Sequence, residues 1–181
     1  MAHHSARIDH LEAEERYKTF REIAFETTME EFNGIQVSGV SFMDALTADK
    51  WKDQISASQR TARSAWSWAR EYPMYQNRPK RFEVTVKRSG ILCGICLGQL
   101  SKHGTRVRMN LVESTPVKPN PLGIRALPVI AFAAAAYGKI VGADEVWLID
   151  PYANLEDYYQ SSGFGPREVY HGKRIGQRKI I

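Results

Sequence analysis

Tyr158 and Tyr159 lie side by side in the segment 154–162, after the short apolar run 146–149 and just before Gly163-Phe164. A phenol has a pKa near ~10, close to that of a thiol, so a tyrosine on a short helix beside a strand end is suited to protonating a departing thiolate. Tyr159 takes that reading, and Tyr158 is read as packing under a sheet. Glu113 closes the alternating run 105–113, where apolar neighbours would favour its neutral form and suit it to exchanging protons. An ordinary ion pair with Lys118 or Arg125 is the other reading of that glutamate, and Ser114 is placed to orient it.

Cys93 and Cys96 form a lone C-x-x-C inside an apolar run, with no second pair and no histidines at finger spacing. In a regular strand, positions three apart point to opposite faces, so without a bulge at Gly94 the two thiols would not share a metal. They read as small buried residues, and no metal is expected. Trp66, Trp68, Tyr72 and Tyr75 alternate with Arg60, Arg63, Arg70, Arg78, Lys80 and Arg81. That mixture fits a stacking and phosphate-contacting surface, or a helix with one buried tryptophan and solvated arginines.

The elements that would carry these residues fit one domain. At 181 residues, 43% hydrophobic and 25% charged, the chain can bury a core of its own but leaves no room for a second independent domain. It has neither an apolar run of the ~18 residues that a membrane span needs nor the basic and apolar regions of a secretory signal, so a cytoplasmic protein with no membrane partner is expected. The net charge of +5 is uneven: residues 1–59 hold 6 basic and 11 acidic groups, residues 60–88 hold 8 and 2, and residues 166–181 hold 5 and 1. Clustered cations attract nucleic acid, phosphorylated ligands or an acidic partner, or only keep the surface solvated.

The spacing predicts an amphipathic helix over 10–31, a strand over 35–42, and one or two helices over 47–72, with Thr47 as N-cap and an end before Pro73. Strands over 82–87, 91–100 and 105–113 follow as an antiparallel meander with short turns. A strongly apolar helix occupies 122–141, in which Pro128 predicts a distortion if the helix starts at Gly123 and sits favourably if it starts near Leu127. A short strand over 146–149, a helix over 154–162, and a hairpin of 164–170 with 174–181 complete the chain.

That order, together with the stretch AAAAYGKIVGADEVWLIDPYANLEDYYQSSGFG, resembles the GCN5-related N-acetyltransferase family. The resemblance implies an α/β (α+β) fold, with a mixed, largely antiparallel sheet flanked by helices. Residues 1–34 would be an extra N-terminal helical extension and residues 35–181 the acyltransferase domain. It implies acetyl-CoA as co-substrate and direct attack by an amine acceptor that the sequence does not name. Glu113 would be the general base and Tyr159 the acid, with Tyr159 and Asn154 also touching the donor. The strand backbone at Leu111 and Val112 would meet the acetyl end.

In the family a loop written Gln/Arg-x-x-Gly-x-Gly/Ala holds the donor's pyrophosphate on backbone amides at a helix start. Here it corresponds to Asn120-Pro121-Leu122-Gly123-Ile124-Arg125, with Asn120 in place of Gln or Arg and Arg125 in place of a small residue. Leu122, Gly123, Ile124 and Arg125 are the expected contacts. Trp66, Arg70, Tyr75 and Arg81 are the expected acceptor contacts. Two other readings keep the fold: a nucleic-acid modifier with a DNA or tRNA acceptor, and a non-catalytic binding module. The acidic N-terminal helix would serve docking, homodimerisation, or simply as a cover for the sheet.

Overall fold

The computed structural model describes residues 2–56 and 66–181, with side chains described from residue 8 onward. Arg60 and Arg63, which enter the sequence expectations above, and part of the helical span expected over 47–72 lie outside the described residues. In order come α1 (Ala2–Glu31), β1 (Gln36–Ser38), α2 (Phe42–Asp49), a 3-10 turn (Lys50–Gln54), α3 (Trp68–Gln76), β2 (Arg81–Arg88), β3 (Ile91–Leu100) and β4 (Arg106–Ser114). Then follow α4 (Ala126–Val141), β5 (Glu145–Ile149), a second 3-10 turn (Ala153–Leu155), α5 (Glu156–Ser161), β6 (Glu168–His171) and β7 (Arg174–Ile180).

The strands form one seven-stranded sheet in the order β1-β2-β3-β4-β5-β7-β6. Only the β4–β5 pair is parallel. This is the mixed, largely antiparallel sheet that the sequence predicts. α4 is apolar on most sides because it lies between the sheet and α1: Val129, Ile130, Ala133, Ala134 and Tyr137 are all buried. The α1 residues Tyr17, Phe20, Ala24 and Phe25, at helical spacing, join the same core, and Phe32, just past the helix end, meets Phe132 edge to face at 5.5 Å. A second core, with Trp51, Trp68, Tyr75, Ile95 and Leu97, lies under α2 and α3 on the other face.

Several boundaries differ from the sequence expectation, and those at β1 and α2, at α3 and at α4 have a local reason. The first strand stops at Ser38, and α2 begins at Phe42, because Ser41 and Asp44 form a reciprocal capping box that starts the helix before Thr47. α3 runs through Pro73 instead of ending before it: Trp68 and Tyr75, two turns apart, are both buried in the second core. α4 starts at Ala126, which places Pro128 third in the helix, within the first turn, where the amide has no intrahelical partner to lose.

A bulge opposite Val86 and Lys87 leaves Cys93 as the extra residue of β3. As a result both cysteines join the α4-side core, and burial pushes both thiols up. Gly94 lets α4 come close, since a Cβ there would stand 2.6 Å from that of Ala126. No helix among the described residues is long and apolar enough to cross a membrane.

Candidate active site

β4 and β5 pair only from Arg106 with Glu145 to Met109 with Leu148. Beyond Met109, β4 carries a bulge: Gly98 pairs with Met109 and Leu97 with Leu111, so Asn110 is the extra residue. The two strands therefore part, and the edge of β4 from Asn110 onward faces β5 without a ladder. A cleft of about 860 Å³ opens there. Its walls are the end of β4, the loop after it, the start of α4, the β5–α5 segment and, from across the sheet, Gln54, Ile55 and Trp66.

The bulge decides which way Glu113 points. Val107 and Met109 face α4, and strict alternation would send Glu113 with them; after the extra residue Leu111 packs with the α2–α3 core instead. Glu113 follows Leu111 to that side, is 9% exposed, and accepts a hydrogen bond on Oε2 from the Trp68 indole N–H at 2.7 Å. Trp68 is fixed in turn by Asp49, whose carboxylate accepts from the backbone N–H groups of Trp68 (2.7 Å) and Ala69 (3.0 Å) and from the Ser67 hydroxyl (2.9 Å). An aspartate at the end of α2 thus caps the free amides at the start of α3.

On the opposite wall stands Tyr159, also 9% exposed. Burial pushes its phenol up to about 12; neighbouring Tyr158 and Tyr152 add to the rise, and a hydrogen bond with the Tyr152 backbone works against it. Tyr152, beside Glu113, is raised by burial and by that carboxylate's charge. Tyr158 is raised by burial, against the pull of the Arg125 guanidinium, which lies 4.6 Å over its ring.

In the loop before α4, the Asn120 side chain accepts from the Leu122 N–H at 3.0 Å, and its carbonyl accepts from the Gly123 N–H at 2.9 Å. Gly123 has φ +76°, a conformation that side chains strain. The Leu122 and Gly123 amides are thereby held within the loop itself, and neither residue lines the cleft. Ala126 and Leu127 do line it, and by position their amides are first-turn donors that no helix carbonyl satisfies. Lys118 and Arg125 also line this end.

Of the residues singled out from sequence, the fold brings Val112, Glu113, Arg125, Tyr159 and Trp66 to one cleft, with Ser114, Lys118, Asn120 and Tyr158 beside them. It does not bring the others. Leu111 packs on the second core, Leu122 is buried, Ile124 is exposed, and Asn154 lies exposed on the 3-10 turn. Tyr75 is buried, and its hydroxyl accepts from the Asn110 amide at 3.1 Å. Arg70 is exposed and pairs with Glu71 at 3.7 Å. Arg81 pairs with Glu14 at 2.7 Å and Glu83 at 3.1 Å, behind the sheet edge.

Other cations of the basic segments also pair within the chain, Arg174 and Arg178 at the exposed surface. Lys87 pairs with Asp44, Arg174 with Asp150, and Arg178 with Glu145 and Glu168. Sequence reasoning named Trp68 only within the aromatic and basic stretch and Lys118 only as an ion-pair partner for Glu113, and it did not name Tyr152, which no local pattern marks.

No protein-family model matches the sequence, and a search of the curated proteins finds no match. Solved structures do match. Ard1 from Thermoplasma volcanium shares 14% identity and a TM-score of 0.60, over 82% of this chain and 98% of that one. An acetyltransferase from Thermus thermophilus gives 14% and 0.59, over 83% and 99%. The PaiA N-acetyltransferase from Thermoplasma acidophilum, solved in complex with coenzyme A, gives 16% and 0.55, over 81% and 99%. The fold is the GCN5-related N-acetyltransferase fold. At these identities the likeness concerns the N-acetyltransferase fold alone, and what the cleft does rests on its own residues.

Proposed function

We propose that this protein is an acetyl-CoA-dependent N-acetyltransferase acting by direct attack of an amine. The observation that carries the reading is the placement of Glu113 and Tyr159 in the cleft where β4 and β5 part, in a fold shared with N-acetyltransferases, one of them solved with coenzyme A. Glu113, held by Trp68, takes the proton from the attacking amine. Free backbone N–H groups on the β4 edge near Val112 polarise the thioester carbonyl as the carbon–nitrogen bond forms. The carbon–sulfur bond then breaks, and Tyr159, still protonated at any ordinary pH, supplies a proton to the leaving sulfur. The Ala126 and Leu127 amides, with Lys118 and Arg125, take the phosphates of the donor. In this reading residues 1–34 are a helical extension and residues 35–181 the catalytic domain.

Calorimetric titration with acetyl-CoA tests the reading. Micromolar binding, about −8 kcal/mol, is expected for the wild type and is lost in Arg125→Glu, which reverses a charge that lines the cleft. A wild type that does not bind favours a second reading, a partner-binding module without a cofactor. The observation behind that alternative is that Asn120 already occupies the Leu122 and Gly123 amides.

A further inference from the structure

The two ends of the cleft differ in charge. The end at the start of α4 carries Lys118 and Arg125, whereas the end formed by Gln54, Ile55 and Trp66 has no charged side chain among the described lining residues. Between them, Glu113 is the only carboxylate among the described lining residues, and Tyr152 and Leu155 close the side. Phosphates belong at the basic end, so the aromatic end is left for the acceptor. There the Trp66 ring stands edge-on to Trp68 at 6.0 Å, next to the indole that holds Glu113. The Trp66 indole N–H is buried with no hydrogen-bond partner. Trp66 lines the cleft, and a buried donor left without a protein partner is ordinarily satisfied by water or a ligand, so an oxygen on a ligand seated here would supply that partner.

Resting on the acetyltransferase reading above, we propose that the acceptor is a small primary amine with an aromatic body and a hydrogen-bond-accepting oxygen, seated on Trp66 with its nitrogen at Glu113. A polyamine does not fit this wall, because its second and third ammonium groups would be buried beside apolar side chains without counter-charges.

The test compares tyramine, 2-phenylethylamine and spermidine as acceptors at saturating acetyl-CoA, following release of free thiol. Tyramine is expected to exceed spermidine about tenfold or more in kcat/KM, as burial of an aromatic body implies, and to exceed 2-phenylethylamine through its oxygen. Trp66→Phe is expected to abolish the difference between tyramine and 2-phenylethylamine while keeping both ahead of spermidine. Trp66→Ala is expected to raise KM for both aromatic amines, circular dichroism confirming that each variant is folded. Spermidine as the best acceptor would overturn the proposal.

Binding of tyramine and of acetyl-CoA, each measured alone by calorimetry, separates this inference from the one beneath it. Acetyl-CoA binding without tyramine binding or acetylation sinks the acceptor class and leaves the acetyltransferase reading intact. Tyramine binding that is lost in Trp66→Ala, in a protein that ignores acetyl-CoA, supports the aromatic site and sinks the transferase reading. Binding of neither overturns both.

Discussion

The indole N–H of Trp68 donates to Oε2 of Glu113 at 2.7 Å across 45 residues of sequence, joining α3 on one side of the sheet to the end of β4. Trp68 is fully buried and Glu113 nearly so. Trp68→Phe keeps most of the ring packing and removes the donor, so it is expected to cost about 1.5–3 kcal/mol, the usual worth of a hydrogen bond to a charged group. Chemical denaturation reads that loss. If Glu113 is the base, kcat falls as well while calorimetric affinity for acetyl-CoA holds, and an unchanged kcat would remove the positioning role given to Trp68.

Asp49 stands one step further back, as the cap that sets Trp68 in place. Asp49→Ala removes the acceptor for two free helix amides and is expected to lower stability by about 0.5–2 kcal/mol. Asp49→Asn keeps an oxygen and should recover most of it. Thermal melts of the two variants, side by side, check the ordering.

Tyr159→Phe changes one oxygen atom. The expected outcome is a fall in kcat of about a hundredfold or more, within the range for a positioned general acid, with acetyl-CoA affinity retained. Because burial holds this phenol up at about 12, its acid form persists through the neutral range. No alkaline fall in rate below about pH 11 should come from Tyr159. Full activity in the phenylalanine variant would sink its assigned role.

Glu14 ties α1 to the sheet edge through Arg81 and also pairs within α1 with Arg21, whose guanidinium donates to the Pro79 and Arg81 carbonyls. Burial pushes its carboxyl up, but the hydrogen bonds and charges of the two arginines outweigh this and hold it below its ordinary 4.5. A carboxyl lowered by folding stabilises the fold above its unfolded pKa and loses that contribution as pH falls through the folded value. Glu14→Gln should therefore be less stable than the wild type at pH 7. The gap should close in acid below about pH 4.5, as denaturation at a series of pH values would show; a gap independent of pH would mean that the ion pairs do not dock the helix.

How much of this was legible in the sequence depends on whether the determining contact is local. Alternation marked β2 and β4, an apolar run between two turns marked β3, the continuous apolar face marked α4, and the Tyr-Tyr and Gly-Phe pairs marked the turn into the last hairpin. Each is a property of residues a few positions apart. The capping box of Ser41 and Asp44 was legible in the same way, but it lay inside a run that also alternates, and the helix start prevailed.

The site itself divides along the same line. Sequence by itself determined that Glu113 ends a strand, that Tyr159 sits on a short helix after β5, and that a glycine with an unusual neighbourhood precedes α4. Only the tertiary structure decided which of these meet. The extra residue at Asn110 turns Glu113 away from α4 and toward Trp68, and Asn120 takes the Leu122 and Gly123 amides for itself. The Glu14 network takes Arg81 away from any acceptor. A bulge of one residue reverses every side chain beyond it, and a charged group pairs with whatever the fold brings near, so neither outcome is written in the spacing of the residues that carry it.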